Sequence, residues 1–296
     1  MTDHQASDLG DVQSTLFIPL TARARETRRR HPALRDPKAV EVIEAVDFDA
    51  AVYGNGWGGF VTVPRTVIFD HWVREFLARH PGGTVVELGT GLNTRFERTD
   101  NGTVHWIDLD LPDTIALRRR FFADPVFTLP TDPDRPPGLT LPTDPDRPPG
   151  RRMMIAASIG GEDWLDAVTQ FPPPYFFVAD GVLAYLQPED VAATLTRIAE
   201  RFPGSYLAFD TYPRRTFDMQ HKQAARKGMA ARWAWACDDP KTLERHGLRL
   251  VESATITSPP PALRGQLPAR YRYLLPLAGP VLGKTFALSL FRAGQS

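Results

Sequence analysis

A chain of 296 residues is long enough for one large domain, or a domain with a substantial cap, and 42% hydrophobic with 24% charged residues is an ordinary folded composition. Its 35 basic residues are balanced by 35 acidic ones, so bulk charge points neither to nucleic acid nor to an anionic membrane surface. The single cysteine, Cys237, excludes an intramolecular disulfide and a cysteine-built metal site. No run nears the roughly eighteen apolar residues of a membrane span, and the polar start MTDHQASDLGDVQ lacks a signal-peptide pattern; a cytoplasmic protein is expected.

Residues 1–13 read as disordered, and Thr15–Pro19 is apolar. Thr21–Arg30 reads as an arginine-rich helix, and Asp36-Pro37 opens another, with Ala39, Val40, Val42, Ile43 and Val46 on its apolar face. Gly54–Gly59 breaks the pattern and Arg65–Arg79 resumes it; residues 14–82 are therefore expected to form a helical cap or lid. Thr84–Leu88 is a buried-strand pattern running into Glu87-Leu88-Gly89-Thr90-Gly91, and a second apolar run, Val104–Ile107, ends in Asp108 and Asp110. A helix is expected over Leu111–Asp124. Residues 127–138, FTLPTDPDRPPG, then recur as 139–150, LTLPTDPDRPPG. Eight prolines and two glycines in these two copies preclude a helix or an inner strand, so 127–150 reads as a duplicated surface loop. Met153–Ala157, Tyr175–Ala179 and Ser205–Phe209 read as strands, alternating with helices at Asp163–Val168 and Pro188–Phe202. Trp233 and Trp235 alternate as in a strand core, and Leu248–Glu252 and Phe286–Phe291 supply candidate antiparallel closing strands.

Alternating strands and helices mean an α/β fold with a doubly wound, mostly parallel sheet. The expected division is a core over 83–212 and a C-terminal acceptor-side segment over 213–296. Acids at three strand ends, Asp108 with Asp110, Asp180 and Asp210, match the rule that ligands bind at the carboxyl edge of such sheets.

The strand, the closely spaced glycines and an acid about twenty residues on make a nucleoside-binding unit: the glycines let a ligand approach the backbone and the acid reaches ribose hydroxyls. A dinucleotide would want a third glycine where Thr94 stands, and Glu87 would repel a pyrophosphate. The same Glu87 suits the sulfonium and ammonium of S-adenosylmethionine. A G-x-G alone is equally a tight turn without a ligand; Glu87, Asp108 and Asp110 are what argue for the cofactor.

These segments resemble the leucine carboxyl methyltransferase-like superfamily, within it the bacterial polyketide O-methyltransferase branch of tetracenomycin type. The resemblance rests on Thr15–Ala24, Asp36-Pro37-x-Ala39-Val40, Pro64-Arg65-Thr66, Glu87–Arg95, Asp108–Pro112, Ala179–Leu186 and Trp235–Pro240, spread from about residue 14 to the end; the duplicated loop lies outside it. It implies a class I methyltransferase, Rossmann-like, using S-adenosylmethionine on a small-molecule acceptor. By the same resemblance Arg65 pairs with the methionine carboxylate and Arg23 assists there or orients the acceptor. Gly89 and Gly91 pass under the cofactor, Asp110 with Asp108 holds the ribose, and Asp180 faces the ammonium. Ser158-Ile159 stands where many relatives carry an acid-apolar pair for the adenine. Tyr185 is placed near the acceptor.

No Ser/His/Asp triad or metal cluster is legible, as expected for in-line methyl transfer to an ionised carboxylate, which needs alignment and desolvation and no base. Carboxyl methylation is therefore the first expectation. Phenolic O-methylation, with His221 as base, is the second. A dinucleotide oxidoreductase and a non-catalytic partner-binding protein are the rivals from other classes.

Overall fold

The computed structural model describes residues 11–46, 57–124, 126–128, 150–227, 233–277, 279 and 283–294. The first ten residues and positions 129–149 of the duplicated loop lie outside them. Eight strands form one sheet: β1 (Thr84–Leu88), β2 (His105–Asp110), β3 (Val126–Thr128), β4 (Arg152–Ala156), β5 (Tyr175–Ala179), β6 (Tyr206–Thr211), β7 (Leu248–Ala254) and β8 (Ala287–Ala293), in the order β3-β4-β2-β1-β5-β6-β8-β7. β1 to β6 are parallel and β8 is antiparallel to both β6 and β7, so the doubly wound sheet with antiparallel closing strands is realised.

Strand residues alternate between two apolar layers. One face, with Val86, Leu88, Ile107, Ile155, Phe177 and Phe209, packs on α6 (Asp163–Val168) and α7 (Pro188–Arg201). The other, with Val85, Trp106, Phe176, Val178 and Ala208, packs on α3 (Trp57–Arg79) and on Tyr271 and Leu275 of α10 (Ala269–Leu277). α1 (Asp11–Thr27) and α2 (Pro37–Ala45) close a third layer with Leu92, Ile115, Phe122 and Met154, using Phe17, Leu20, Ala24, Ala39 and Val42. The remaining helices are α4 (Arg95–Thr99), α5 (Pro112–Arg118), α8 (Arg214–Lys227) and α9 (Pro261–Arg264).

Several expectations need correction. α3 is a layer helix on the sheet face, and it runs through Gly58, Gly59 and Pro64, where a break was expected. Burial of Val63, Val67, Ile68, Trp72, Val73 and Phe76 outweighs helix penalties of about 1 kcal/mol per glycine and about 3 for proline. α1 begins at Asp11 and ends at Thr27, so Pro19 lies inside it and the apolar Thr15–Pro19 run is helical. α5 stops at Arg118, well short of Asp124. Val126–Thr128, partly inside the first proline-rich copy, pairs with β4 at the sheet edge, the position where a neighbouring proline costs no ladder bond. Residues 233–237 are irregular: Trp235 is buried in the core while Trp233 lies against Tyr212, with ring centres 4.2 Å apart.

β7 is parallel to β6, so it ends at the same carboxyl edge, where Ala254 pairs with Leu288 and Thr211 with Ala287. Residues 255–286, carrying α9 and α10, therefore rise from the edge that also carries the β1, β2, β5 and β6 loops.

Candidate functional site

The turn after β1 is fastened to the end of β2. Gly89 and Gly91 adopt φ of 65° and 50°, a region that disfavours side-chain-bearing residues. The amides of Gly89 and Thr90 donate to the Leu109 carbonyl at 2.8 and 3.1 Å, and the Gly91 amide donates to Asp110 Oδ2 at 2.7 Å. Asp110 also accepts from the Leu111 amide at 2.7 Å and stays half-buried at the strand end, its carboxyl pushed up by burial against those two amides. A Cβ on Gly89 would lie 2.6 Å from the Val182 side chain, so the first glycine also admits the β5 loop.

Asp108 does not share this position. It is 1% exposed and accepts from Thr90 Oγ1 at 2.8 Å and Arg152 Nε at 2.9 Å, with Arg118 Nη2 at 3.2 Å. Burial raises its carboxyl, yet Arg118 and Arg152 hold it below the ordinary range. Two acids two residues apart on one strand face thus part company: Asp110 reaches the edge and Asp108 is enclosed under the glycine turn.

Glu87, beside Asp108 in the β1–β2 register, belongs to a buried ion network that the sequence pattern did not disclose. Arg95, fully buried at the start of α4, donates from Nε to Asp70 at 2.9 Å, from Nη1 to Glu87, and from Nη2 to Asp180 at 2.8 Å. One turn on, Arg98 clamps Asp70 at 2.7 and 3.0 Å and reaches Asp36 Oδ2 at 2.9 Å. Asp36 caps α2 through the Ala39 amide and also takes Arg23 Nε at 2.8 Å and the Thr94 hydroxyl at 2.5 Å. Thr94, standing where a dinucleotide motif wants glycine, is therefore a structural tie. Arg23 itself is enclosed, with Nη2 donating to the Leu92 carbonyl at 3.1 Å, and burial lowers its guanidinium. Asp70 is brought to about 2, its arginines overcoming burial, whereas Glu87 is pushed up to about 7 by burial, with Asp108 and Asp180 opposing its ionisation and Arg95 favouring it.

Arg65, on α3, extends the network to the β5 and β6 loops. Its Nε lies 2.7 Å from Asp180 Oδ1, and its Nη1 lies 3.4 Å from Asp210 Oδ2 and 3.2 Å from Tyr212 Oη. Asp210 accepts from the Tyr212 hydroxyl at 2.6 Å and from the Gly181 amide at 2.9 Å. Burial raises both Asp210 and Tyr212, and their closeness keeps the tyrosine neutral. Gly181, at φ 77°, packs on the Arg65 guanidinium, where a Cβ would sit 3.2 Å from Nη2. The Arg65–Asp180 pair is close but not aligned: Nε of one and Oδ1 of the other are buried without a directed hydrogen bond.

Ser158 is exposed just past β4, and Ile159 is core, its carbonyl taken by Trp164 and Thr194 at 3.2 and 3.3 Å. Tyr185, in the short turn Leu183–Tyr185 after β5, is 43% exposed. His221 lies on α8, stacked on Phe217, with Nε2 at 2.6 Å from the Trp233 carbonyl. That bond requires the proton on Nε2 and leaves the basic lone pair on Nδ1.

Arg95, Arg98 and Asp70 escaped the sequence reading as site residues. The available signal was the i, i+3 pair of arginines opening the helix behind G-x-G-x-x-T; their acidic partners lie far away in the chain. Four guanidiniums (Arg23, Arg65, Arg95, Arg98) face five carboxylates (Asp36, Asp70, Glu87, Asp180, Asp210), so full ionisation leaves this buried cluster one negative charge. Such a cluster fits a cofactor whose sulfonium and ammonium outweigh its carboxylate. The unsatisfied Asp180 Oδ1 is an acceptor suited to an ammonium, and the positive-φ glycine turn beside the half-buried Asp110 suits a nucleoside.

Comparison with known proteins agrees. The leucine carboxyl methyltransferase family profile matches residues 17–199, more than half the chain. The tetracenomycin polyketide synthesis O-methyltransferase TcmP of Streptomyces glaucescens is 31% identical over 256 residues, covering 85% of this chain and 86% of its own. An S-adenosyl-L-methionine-dependent methyltransferase, dpfgK of Gibberella zeae, is 27% identical over 270 residues and 82% of each chain. A crystal structure of a DUF574 family protein from Streptomyces avermitilis shares the fold, with a TM-score of 0.52 over 79% of this chain and 84% of that one at 12% identity. This chain belongs to the leucine carboxyl methyltransferase family and is an S-adenosylmethionine-dependent methyltransferase.

Proposed function

We propose that the enzyme methyl-esterifies a carboxylate on a small-molecule acceptor. The observation that carries this reading is the state of the acids and the tyrosine in the network. Glu87, Asp180, Asp210 and Tyr212 are each committed to an arginine or to one another, and the tyrosine is held neutral. A carboxylate acceptor is ionised well below neutrality and asks for no proton transfer, whereas a phenol does. The relative named for tetracenomycin polyketide synthesis gives the acceptor class its support.

Within this reading the bound S-adenosylmethionine supplies an electrophilic methyl on sulfur. Gly89, Gly91 and Asp110 would hold the nucleoside, with Ser158 and Ile159 toward the adenine. Asp180 and Glu87 would face the ammonium, and Arg65 with Arg23 the methionine carboxylate. Arg95 is a positioning residue: it holds Glu87 and Asp180 together where their charges would otherwise drive them apart. Tyr185, exposed on the β5 loop, is left to shape the acceptor side. What the protein contributes to rate is orientation and a dry, preorganised environment for the carboxylate oxygen.

Phenolic O-methylation is the second reading, and His221 supports it, because the Trp233 carbonyl fixes a tautomer with Nδ1 basic. One experiment divides the two. With cofactor saturating, esterification gives a rate nearly flat between about pH 6 and pH 8, a product that alkali returns to acid and methanol, and little change in His221→Ala. A rate that climbs steeply over that range and collapses in His221→Ala, with an alkali-stable product, overturns esterification in favour of the phenol.

A further inference from the structure

The arginine-rich run at the end of α1 has no part in the cofactor network beyond Arg23. It forms one wall of an open groove of about 790 Å³, whose other wall is residues 266–273 on and before α10. The lining includes Arg30, His31, Arg35, Arg270 and Arg272 and contains no aspartate or glutamate, in a chain whose overall charge is balanced. Arg30 and Arg35 are exposed, and neither meets a carboxylate among the described residues. Arg272 donates to the main-chain carbonyls of Gly265 and Leu267 at 2.5 and 3.1 Å, which fixes its head without cancelling its charge. The only acid facing the groove from beneath is Glu26, 2% exposed. It is already held by Arg270, by Arg29 at 3.2 Å and by the Ala33 amide at 2.5 Å. Apolar Leu267 and the largely exposed ring of Tyr273 complete the surface.

Position ties the groove to the methyl-transfer edge. Its first wall, 30–35, lies between Arg23 and Asp36, both members of the network. Its second wall is part of the 255–286 insertion that rises from the carboxyl edge of the sheet. Arg270 Nη1 donates to the His31 carbonyl at 2.7 Å, locking the two walls together, and Phe286 at the end of the insertion packs on Tyr212 at 5.7 Å. Uncompensated guanidiniums around an aromatic and an aliphatic side chain recognise an aromatic or apolar body bearing an anion.

We propose that this groove binds the acceptor through a second anionic group, a carboxylate or a phosphate, distinct from the group that receives the methyl. Arg30 and Arg35 take its charge and Tyr273 its apolar body. The assignment rests on the small-molecule esterification reading and narrows its substrate class to acceptors with two anionic groups. It also accounts for the clustering of arginines at the end of α1.

The test is calorimetric titration of the full chain, saturated with S-adenosylhomocysteine, with phthalate, phenyl phosphate and benzoate, in wild type and R30A/R35A. The expected result is that phthalate or phenyl phosphate binds at least tenfold more tightly than benzoate, weakens with added salt, and loses that preference in the variant, while S-adenosylhomocysteine affinity is unchanged. Preference for phthalate assigns the second group as a carboxylate, and preference for phenyl phosphate assigns a phosphate. Dianions that bind wild type no better than benzoate, or equally well to R30A/R35A, overturn the groove assignment. Esterification is judged separately by alkali lability of the methylated product: an alkali-stable product overturns that reading while the binding result stands.

Discussion

Replacing Arg95 by methionine removes a guanidinium that serves three buried carboxylates while keeping an unbranched chain of similar length. Removing one member of a buried ion pair costs about 3–5 kcal/mol, because a charge is left without a partner. Two of the three acids have a second arginine: Asp70 keeps Arg98 at 2.7 and 3.0 Å, and Asp180 keeps Arg65 at 2.7 Å. Glu87 keeps only the Asn93 amide at 2.6 Å. The cost therefore concentrates on Glu87, which escapes by taking a proton, and the lower end, about 3 kcal/mol, is expected near pH 8. The pH dependence has a definite sign. Glu87 is raised in the folded state from 4.5 to about 7, so its contribution to stability is fully present below the unfolded value and lost as pH rises through about 7. Without Arg95 the folded value rises further, so the variant goes on losing stability where wild type has finished. The gap should widen above pH 7 by at most about 1.4 kcal/mol per pH unit. Urea unfolding at about pH 6 and pH 8 measures both terms, and the double variant E87Q/R95M should remove most of the pH dependence. A loss below about 1 kcal/mol, or an equal loss at both pH values, would refute the account of Arg95 as the partner of an ionisable Glu87.

Arg65→Ala should weaken S-adenosylhomocysteine binding by about 2–5 kcal/mol if the guanidinium meets the methionine carboxylate away from water, and a loss under about 0.5 kcal/mol in equilibrium binding would remove it from the cofactor site. Asp110→Ala should cost cofactor affinity, by about 1–3 kcal/mol, with little change in unfolding, whereas Asp108→Ala should cost stability by leaving Arg118 and Arg152 short of a carboxylate. The opposite pattern would exchange their roles. Deleting residues 139–150 should change stability by no more than about 0.6 kcal/mol, since halving a loop alters closure entropy weakly and the remaining residues still span from Thr128 to Arg152. Loss of activity with cofactor binding intact would mean that the second copy covers the acceptor.

What could be read from the chain alone is what depends on local pattern. The β-branched and apolar runs declared Thr84–Leu88 and Tyr175–Ala179 with their ends in place, because a strand buried on both faces is apolar along its length. The two glycines of G-x-G declared a positive-φ turn, because only glycine takes that backbone without strain. Strand-end acids declared the ligand edge for the same topological reason. The tertiary structure decided everything that turns on which side chain meets which. Asp108 and Asp110 look equivalent in sequence, yet Arg118 and Arg152 enclose one while the strand end exposes the other. Arg95 and Arg98 look like surface charges of a short helix until Asp36 and Asp70, brought from α2 and α3, take them out of water. Gly58, Gly59 and Pro64 argue locally for a break, and only burial of the α3 face against the sheet overrides them. Propensity and turn geometry act over a few residues and leave their mark in the sequence. Ion pairing and burial depend on residues tens to hundreds of positions away, so they become visible only once the chain has folded.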